Sequence, residues 1–428
     1  MIKMLSILLI GITIFAIAIF VYSLVSHRLE GSIATAPMIF VAIGMLVSPD
    51  GFDLISMGPT NSLILVFAEI ALVLILFSDA ARINFSALKG NRSLPTRLLV
   101  IGLPLTIFAG SVTAILMFTD IALPEAALIG AILSPTDAGL GQAIVNSPKV
   151  PARIRQALNV ESGLNDGGAI PFFAFFLVLA EAEKLNIPAV TWLTFAAEQI
   201  GVGIIVGVLV GLIGGYFVNK ALERGLMTGR FQWIGFLSLA IMSFVLADAL
   251  GGSGFIAAFV GGIATTITGK HVSESIIEFT STGGELCSLA VFFIFGVLVA
   301  SLFNGVTWFV VLYAIFSLTV IRMIPVAISL IKTKLQPESV LFMGWFGPRG
   351  LASIVLLLIT INEAPGIPGL STIMVVVSLT VLFSVFAHGI SAKPAIDRYA
   401  KKMAALPPDA PELKDVVESA TRLQATVE

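Results

Sequence analysis

Long apolar runs separated by short polar punctuation dominate this chain. They lie near residues 4–25, 33–48, 61–80, 97–118, 122–144, 156–180, 191–219, 231–249, 252–268, 281–302, 306–331, 339–361 and 370–391. A helix needs roughly 20 residues to cross a bilayer, and most of these runs approach that length. The pattern predicts an all-α polytopic membrane protein with about 13 transmembrane helices. The second and ninth runs are the shortest. The first, preceded by Lys3, is longer than the apolar region of a signal peptide and lacks a small-residue cleavage site, so it reads as a first span.

Basic residues in the joints sharpen this. Every second joint is basic: Arg28; then Arg82, Lys89, Arg92 and Arg97; Lys149, Arg153 and Arg155; Lys220, Arg224 and Arg230; Lys270; Lys332 and Lys334. The intervening joints and the N-terminus hold only Lys3 and Lys184. By the positive-inside rule the N-terminus lies outside and the C-terminus in the cytoplasm, and an even number of spans would scramble the alternation. Residues 1–392 then form the membrane domain, in a cell membrane and surrounded by lipid. Residues 393–428, with Pro407, Pro408 and Pro411, form a short cytoplasmic tail, part helical and part disordered.

Composition agrees. The chain is 57% hydrophobic and 12% charged, where a soluble domain carries about 25% charged residues. The single cysteine, Cys287, excludes an intrachain disulfide and a multi-cysteine metal site. His27, His271 and His388 all fall at predicted span ends, so no histidine cluster forms. Neither a cofactor nor a nucleic-acid partner is expected.

Two spans are interrupted. Ser134-Pro135-Thr136 breaks the fifth, and Gly347-Pro348-Arg349-Gly350 breaks the twelfth. The breaks sit seven spans apart, so they cross the membrane in opposite senses. Broken spans at matching positions of two halves point to a transporter site between inverted repeats. The repeats would cover about 4–180 and 231–391, with 191–219 as the connecting helix.

The acids cluster around the first break. Pro135 has no amide hydrogen and frees backbone carbonyls mid-membrane, tolerable only where they face protein, water or an ion. Thr136 adds a hydroxyl and Asp137 a carboxylate, and such oxygens are ligands for a hard cation. In the sixth span, helical spacing puts Ser162 and Asp166 on one face and Glu161 and Asn165 on the next. The expected partner for Glu161 is Arg349, a structural pair that leaves Asp166 for the cation. Two neighbouring carboxylates, Asp137 and Asp166, cannot both stay ionised cheaply in a low dielectric. Either a proton or a monovalent cation neutralises the site, which is the physical basis of exchange by competition. Asp79 and Glu69 in the third span are further candidates. Asp248 before Gly251-Gly252-Ser253-Gly254 is more structural, Glu285 is interfacial, and Arg322 anchors packing.

At these residues the chain resembles the NhaP-like branch of the cation:proton antiporter superfamily, in the monovalent cation:proton antiporter-1 group. The resemblance rests on Thr136-Asp137, on Glu161-Ser162-Gly163-Leu164-Asn165-Asp166, on Gly347-Pro348-Arg349-Gly350 and on Leu250-Gly251-Gly252-Ser253-Gly254. It implies an NhaA-like antiporter fold and a homodimer, each protomer having a dimerisation domain and a mobile six-helix core. It implies Na+ (or Li+) held by Asp166, the Thr136 carbonyl and Ser162, with Asp137 nearby and Asp79 joining. Asn165 before Asp166 implies electroneutral exchange. The proline precedes Thr136-Asp137 here, where relatives often have it after, which shifts the freed carbonyls. The reading is Na+/H+ exchange. Its nearest rival is K+/H+ exchange on the same fold; an ion channel and an intramembrane enzyme fit the residues less well.

Overall fold

The computed structural model describes residues 2–29, 32–56, 58–82, 93–185, 189–268, 274–414 and 416. Lys89, Arg92, Lys270 and His271, cited above, and residues 417–428 of the expected tail lie outside the described residues.

In hydrocarbon every backbone amide and carbonyl must find a partner within the protein, and a helix satisfies them locally. The chain accordingly runs as α1 (Ile2–Leu29), α2 (Ala36–Val47), α3 (Ser62–Ala81) and α4 (Ser93–Met117), the last with a π-helical turn at Leu98–Gly102. The fifth pass is split into α5a (Leu123–Ile132) and α5b (Ala138–Val145). Then come α6 (Ala152–Leu185), α7 (Ala189–Glu223), α8 (Gly229–Ala249), α9 (Gly254–Thr268) and α10 (Glu274–Ala300). The eleventh pass bends at Thr319 into α11a (Trp308–Leu318) and α11b (Val320–Ser329). The twelfth is split into α12a (Pro337–Trp345) and α12b (Leu351–Glu363), and α13 (Leu370–Met403) closes the series. Among the described residues, nine helices are long and apolar enough to cross a membrane. Four shorter apolar helices are α2, α5a, α9 and α12b, so the short spans and the broken spans supply the remaining passes.

Three departures from the sequence reading have physical causes. The bend at Thr319 carries no proline or glycine at that position; Thr319 takes φ −112° and ψ −93°, and its hydroxyl donates to the Ile315 carbonyl. α13 continues past the last apolar residues to Met403, because Ala392, Ile396, Tyr399 and Met403 keep one face buried. The polar residues there mark a surface, not a helix end. Finally, the tail turns back: Glu412, fully buried, accepts from the Gln336 amide at 2.6 Å and from the Ser339 hydroxyl at 3.0 Å. It thereby caps the start of α12a from outside that helix.

Packing divides into two groups. α4, α5a, α5b, α6, α11, α12 and α13 surround the two breaks, while α2, α3, α7, α8, α9 and α10 pack on one another. α3, α7 and α9 lean on α6, and α3 and α10 lean on α12b, joining the groups. α12b is buried from Leu351 to Ile361 and α5a from Glu125 to Ile132. Neither half-helix keeps a lipid-facing side, which is why irregular backbone is tolerable beside them.

Candidate ion-binding site at the crossed helix breaks

The breaks meet. The Asp137 amide donates to the Pro348 carbonyl at 2.7 Å, so the two extended segments, 133–137 and 346–350, cross in the interior. A helix that ends inside a membrane exposes unpaired amides at its start and unpaired carbonyls at its end, with the partial charges of the helix dipole. Two side chains answer both problems.

Asp137 serves the helix starts. Its Oδ1 accepts from the Gly139 and Leu140 amides at 2.7 and 3.2 Å, capping α5b. Its Oδ2 accepts from the Leu351 amide at 2.7 Å, capping α12b. One carboxylate thus meets two positive helix ends. Arg349 serves the helix end. Its Nη1 donates to the Ser134 and Pro135 carbonyls at 2.8 and 3.1 Å, and the Ser353 hydroxyl takes the Ile132 carbonyl at 2.7 Å.

These contacts overturn the expected Glu161–Arg349 pair. Glu161 instead receives Arg322 from α11b, at 2.9 Å on Oε1 and 3.0 Å on Oε2, with both residues buried. Burial without a partner would be expensive for either group. Both arginines reach the core. Arg349 is taken by the Ser134 and Pro135 carbonyls at the first break, and the bend at Thr319 brings Arg322 to the acid. The glycines of the second break make room for these charges. A Cβ on Gly347 would stand 2.5 Å from Arg322 Nε, and one on Gly350 would stand 2.0 Å from Asp137 Oδ2. Gly350→Ala is expected to lower the stability of the purified protein by about 1–3 kcal/mol by displacing the shared cap, whose amides would be left without an acceptor. Thermal unfolding in detergent checks this; a wild-type unfolding temperature in the variant would count against the shared cap.

The remaining candidates lie along α6. Asn165 accepts from the Thr136 amide at 3.2 Å and donates to the Thr136 hydroxyl at 2.5 Å and to Glu161 at 3.3 Å. It therefore fixes Thr136 and links it to the Glu161–Arg322 pair. Thr136 and Ser162 line one narrow cleft together with Asp137, Leu158, Phe346 and Pro348. It runs between α5b and the first turns of α6. Asp166 is buried one turn deeper on α6 than Ser162 and is not part of the cleft wall. Asp79, also buried, packs its Cβ and carboxylate beside Gly163, between those two residues. Glu69 is remote from this point and sits near Glu363 and Asp248 instead. Of the two acids of α3, Asp79 is the one beside α6.

Sequence reasoning missed α13's part. His388 is not at a helix end but is buried within α13, facing the second break with Ser384. The available signal was a pair of polar residues four apart in an apolar run.

An all-helical bundle built around two crossed helix breaks, with buried carboxylates beside the crossing, is the architecture of a secondary ion transporter. The chain matches the transmembrane sodium/hydrogen exchanger family over residues 14–398 and belongs to it. Among curated relatives, it is 26% identical over 396 residues to the K(+)/H(+) antiporter NhaP2 of Shewanella sp. (strain ANA-3), covering 91% of this chain and 66% of the relative. It is 26% identical to the Na(+)/H(+) antiporter NhaG of Bacillus atrophaeus, covering 78% of this chain and 63% of that one. The chain thus spans slightly less than two thirds of these relatives' length. In fold it is similar to the sodium proton antiporter MjNhaP1 of Methanocaldococcus jannaschii, with a TM-score of 0.73 at 21% identity, covering 92% of this chain and 99% of the other.

Proposed function

We propose that this protein exchanges Na+ (or Li+) for H+ across a cell membrane, one for one, by competition of the two for Asp166. The observation that carries the reading is the cleft that reaches Thr136 and Ser162, one helical turn from buried Asp166. A cation entering there meets hydroxyl and carbonyl oxygens and then a carboxylate, ligands suited to a hard monovalent ion. Asn165 fixes Thr136 for this role, and Asp79 adds a second acid at the far side of Gly163. The crossing itself has its charges matched by Asp137 and Arg349, so the passenger site is left to Asp166. The neutral Asn165 beside it supports electroneutral exchange. Alternating access would come from movement of the group around the breaks against the α3, α7, α9 and α10 group, in a homodimer with the N-terminus outside and the C-terminus cytoplasmic. The printed activity of the Shewanella relative, K+/H+ exchange, makes potassium the second reading.

Purified protein in liposomes with a trapped pH dye tests both. Sodium or lithium added outside is expected to move protons, potassium much less, and Asp166→Asn is expected to abolish the signal. An imposed voltage is expected to leave the rate unchanged. Sodium flux without proton counterflow would sink the exchange reading, and a potassium-driven signal exceeding the sodium signal would replace the cation.

A further inference from the structure

α13 presents Ser384, His388 and Ser391 on one face, spaced four and three residues apart, and all three bond to the broken twelfth pass. Trp345 ends α12a, and its carbonyl accepts from the Gly347 amide at 2.9 Å with room for a second donor. His388 Nε2 lies 2.8 Å from that carbonyl. Across the break, the Arg349 amide donates to Ser384 Oγ at 2.6 Å, and Ser384 Oγ lies 3.2 Å from His388 Nδ1. The Trp345 indole donates to Ser391 Oγ at 2.9 Å. Ser384 and His388 are both buried.

The Arg349 amide donates to Ser384 Oγ, His388 Nε2 pairs with the Trp345 carbonyl, and Nδ1 sits on Ser384 itself, 2.9 Å from its carbonyl and 3.2 Å from its hydroxyl. The charged groups facing the ring are Arg349 in the break and Arg322 on α11b. The bonds run from residue 345 to residue 349 through α13, beside the backbone between them, where the Gly347 amide closes a tight turn on the Trp345 carbonyl.

That backbone holds Pro348, whose carbonyl receives the Asp137 amide at 2.7 Å. The Asp137 amide and the Thr136 carbonyl belong to one planar trans peptide, so they point in opposite directions. Holding the amide on Pro348 aims the Thr136 carbonyl the other way. We propose that His388 and Ser384 are positioning residues for the transported cation: they splice α12a to the segment 346–350, and through Pro348 they set the direction of the Thr136 carbonyl. In its cation-binding consequence the inference rests on the exchange reading above; the splice itself does not.

The test uses His388→Leu, which removes both ring nitrogens, and His388→Gln, which keeps a donor for Trp345. Two quantities are read: the apparent KM for the cation in liposomes, and amide hydrogen exchange of peptides covering 345–351 in detergent. For His388→Leu, KM is expected to rise roughly tenfold, as for a displaced ligand, and the 345–351 amides to lose protection. His388→Gln is expected to restore both and to keep the wild-type pH profile. Unchanged KM and unchanged protection in the Leu variant would overturn the proposal. A shifted pH profile in the Gln variant would also overturn it, by making His388 a titrating group. If His388→Leu does not fold, Ser384→Ala removes one hydroxyl and carries the same two measurements. Should the wild type exchange no cation at all, the exchange reading falls, and amide protection alone decides the splice.

Discussion

Asp137→Ala is expected to abolish exchange and to lower the stability of the purified protein by about 3 kcal/mol, the scale of losing several charge-assisted bonds to buried amides. Three amides on two half-helices share this one carboxylate. Removing it leaves them without their side-chain acceptor, and it removes the negative charge that faces two helix N-termini. Asp137→Asn separates the two effects. Its single carbonyl oxygen can cap α5b or α12b but not both, and it carries no charge. It is expected to fall between wild type and Ala in thermal unfolding in detergent and to stay far below wild type in exchange. Wild-type unfolding temperatures for Asp137→Ala would show that the double cap does not hold the crossing.

The second large effect concerns Arg322. Arg322→Met strands the Glu161 carboxylate in the core, and breaking a buried pair this way costs about 3–5 kcal/mol. Glu161 also accepts from Asn165, which holds Thr136, so exchange is expected to fail along with stability. The double variant Arg322→Met with Glu161→Gln removes both charges together. It is expected to recover most of the lost stability, since a well-packed neutral pair is often no worse than a buried ionic one. Thermal unfolding of the single and double variants decides it. A double variant as unstable as the single one would mean that packing around Arg322, and not the stranded acid, sets the cost. Arg349→Met with Glu161→Gln serves as the control and is expected to show no such recovery, because Arg349 bonds carbonyls on α5 instead.

Both breaks were legible in the sequence, because proline and glycine inside an apolar run interrupt a helix wherever they fall. Helical spacing put Ser162 with Asp166 on one face of the sixth span and Glu161 with Asn165 on the next, while Thr136 came from the break itself. What spacing could not give was the partner of each charge. Glu161 had two arginines available in consecutive spans, and the choice was made by a bend at Thr319 that no proline or glycine at that residue announces. Asp137 was expected beside the passenger; it lines the cleft with Thr136 and Ser162, and both of its oxygens also accept from backbone amides. An aspartate directly before Ala138-Gly139-Leu140 is a helix-cap pattern. That reading was available, but only the fold reveals that a second helix begins at the same carboxylate. His388 looked like a residue at a span end because the apolar run stops soon after it. The helix does not stop there, and the ring faces inward.

The crossing also determines how the membrane potential acts on this protein. A voltage does work on whatever net charge changes depth, about 2.3 kcal/mol per elementary charge per 100 mV. At the breaks, the Asp137 carboxylate lies in the same local structure as the Arg349 guanidinium, and Glu161 is joined directly to Arg322. Each acid has a cation alongside, so the four can change depth together with no net charge displaced. The field then has no grip on the frame of the crossing, and an Asp166 carboxylate neutralised by either passenger gives it none, in keeping with the voltage-independent rate expected for the proposed exchange.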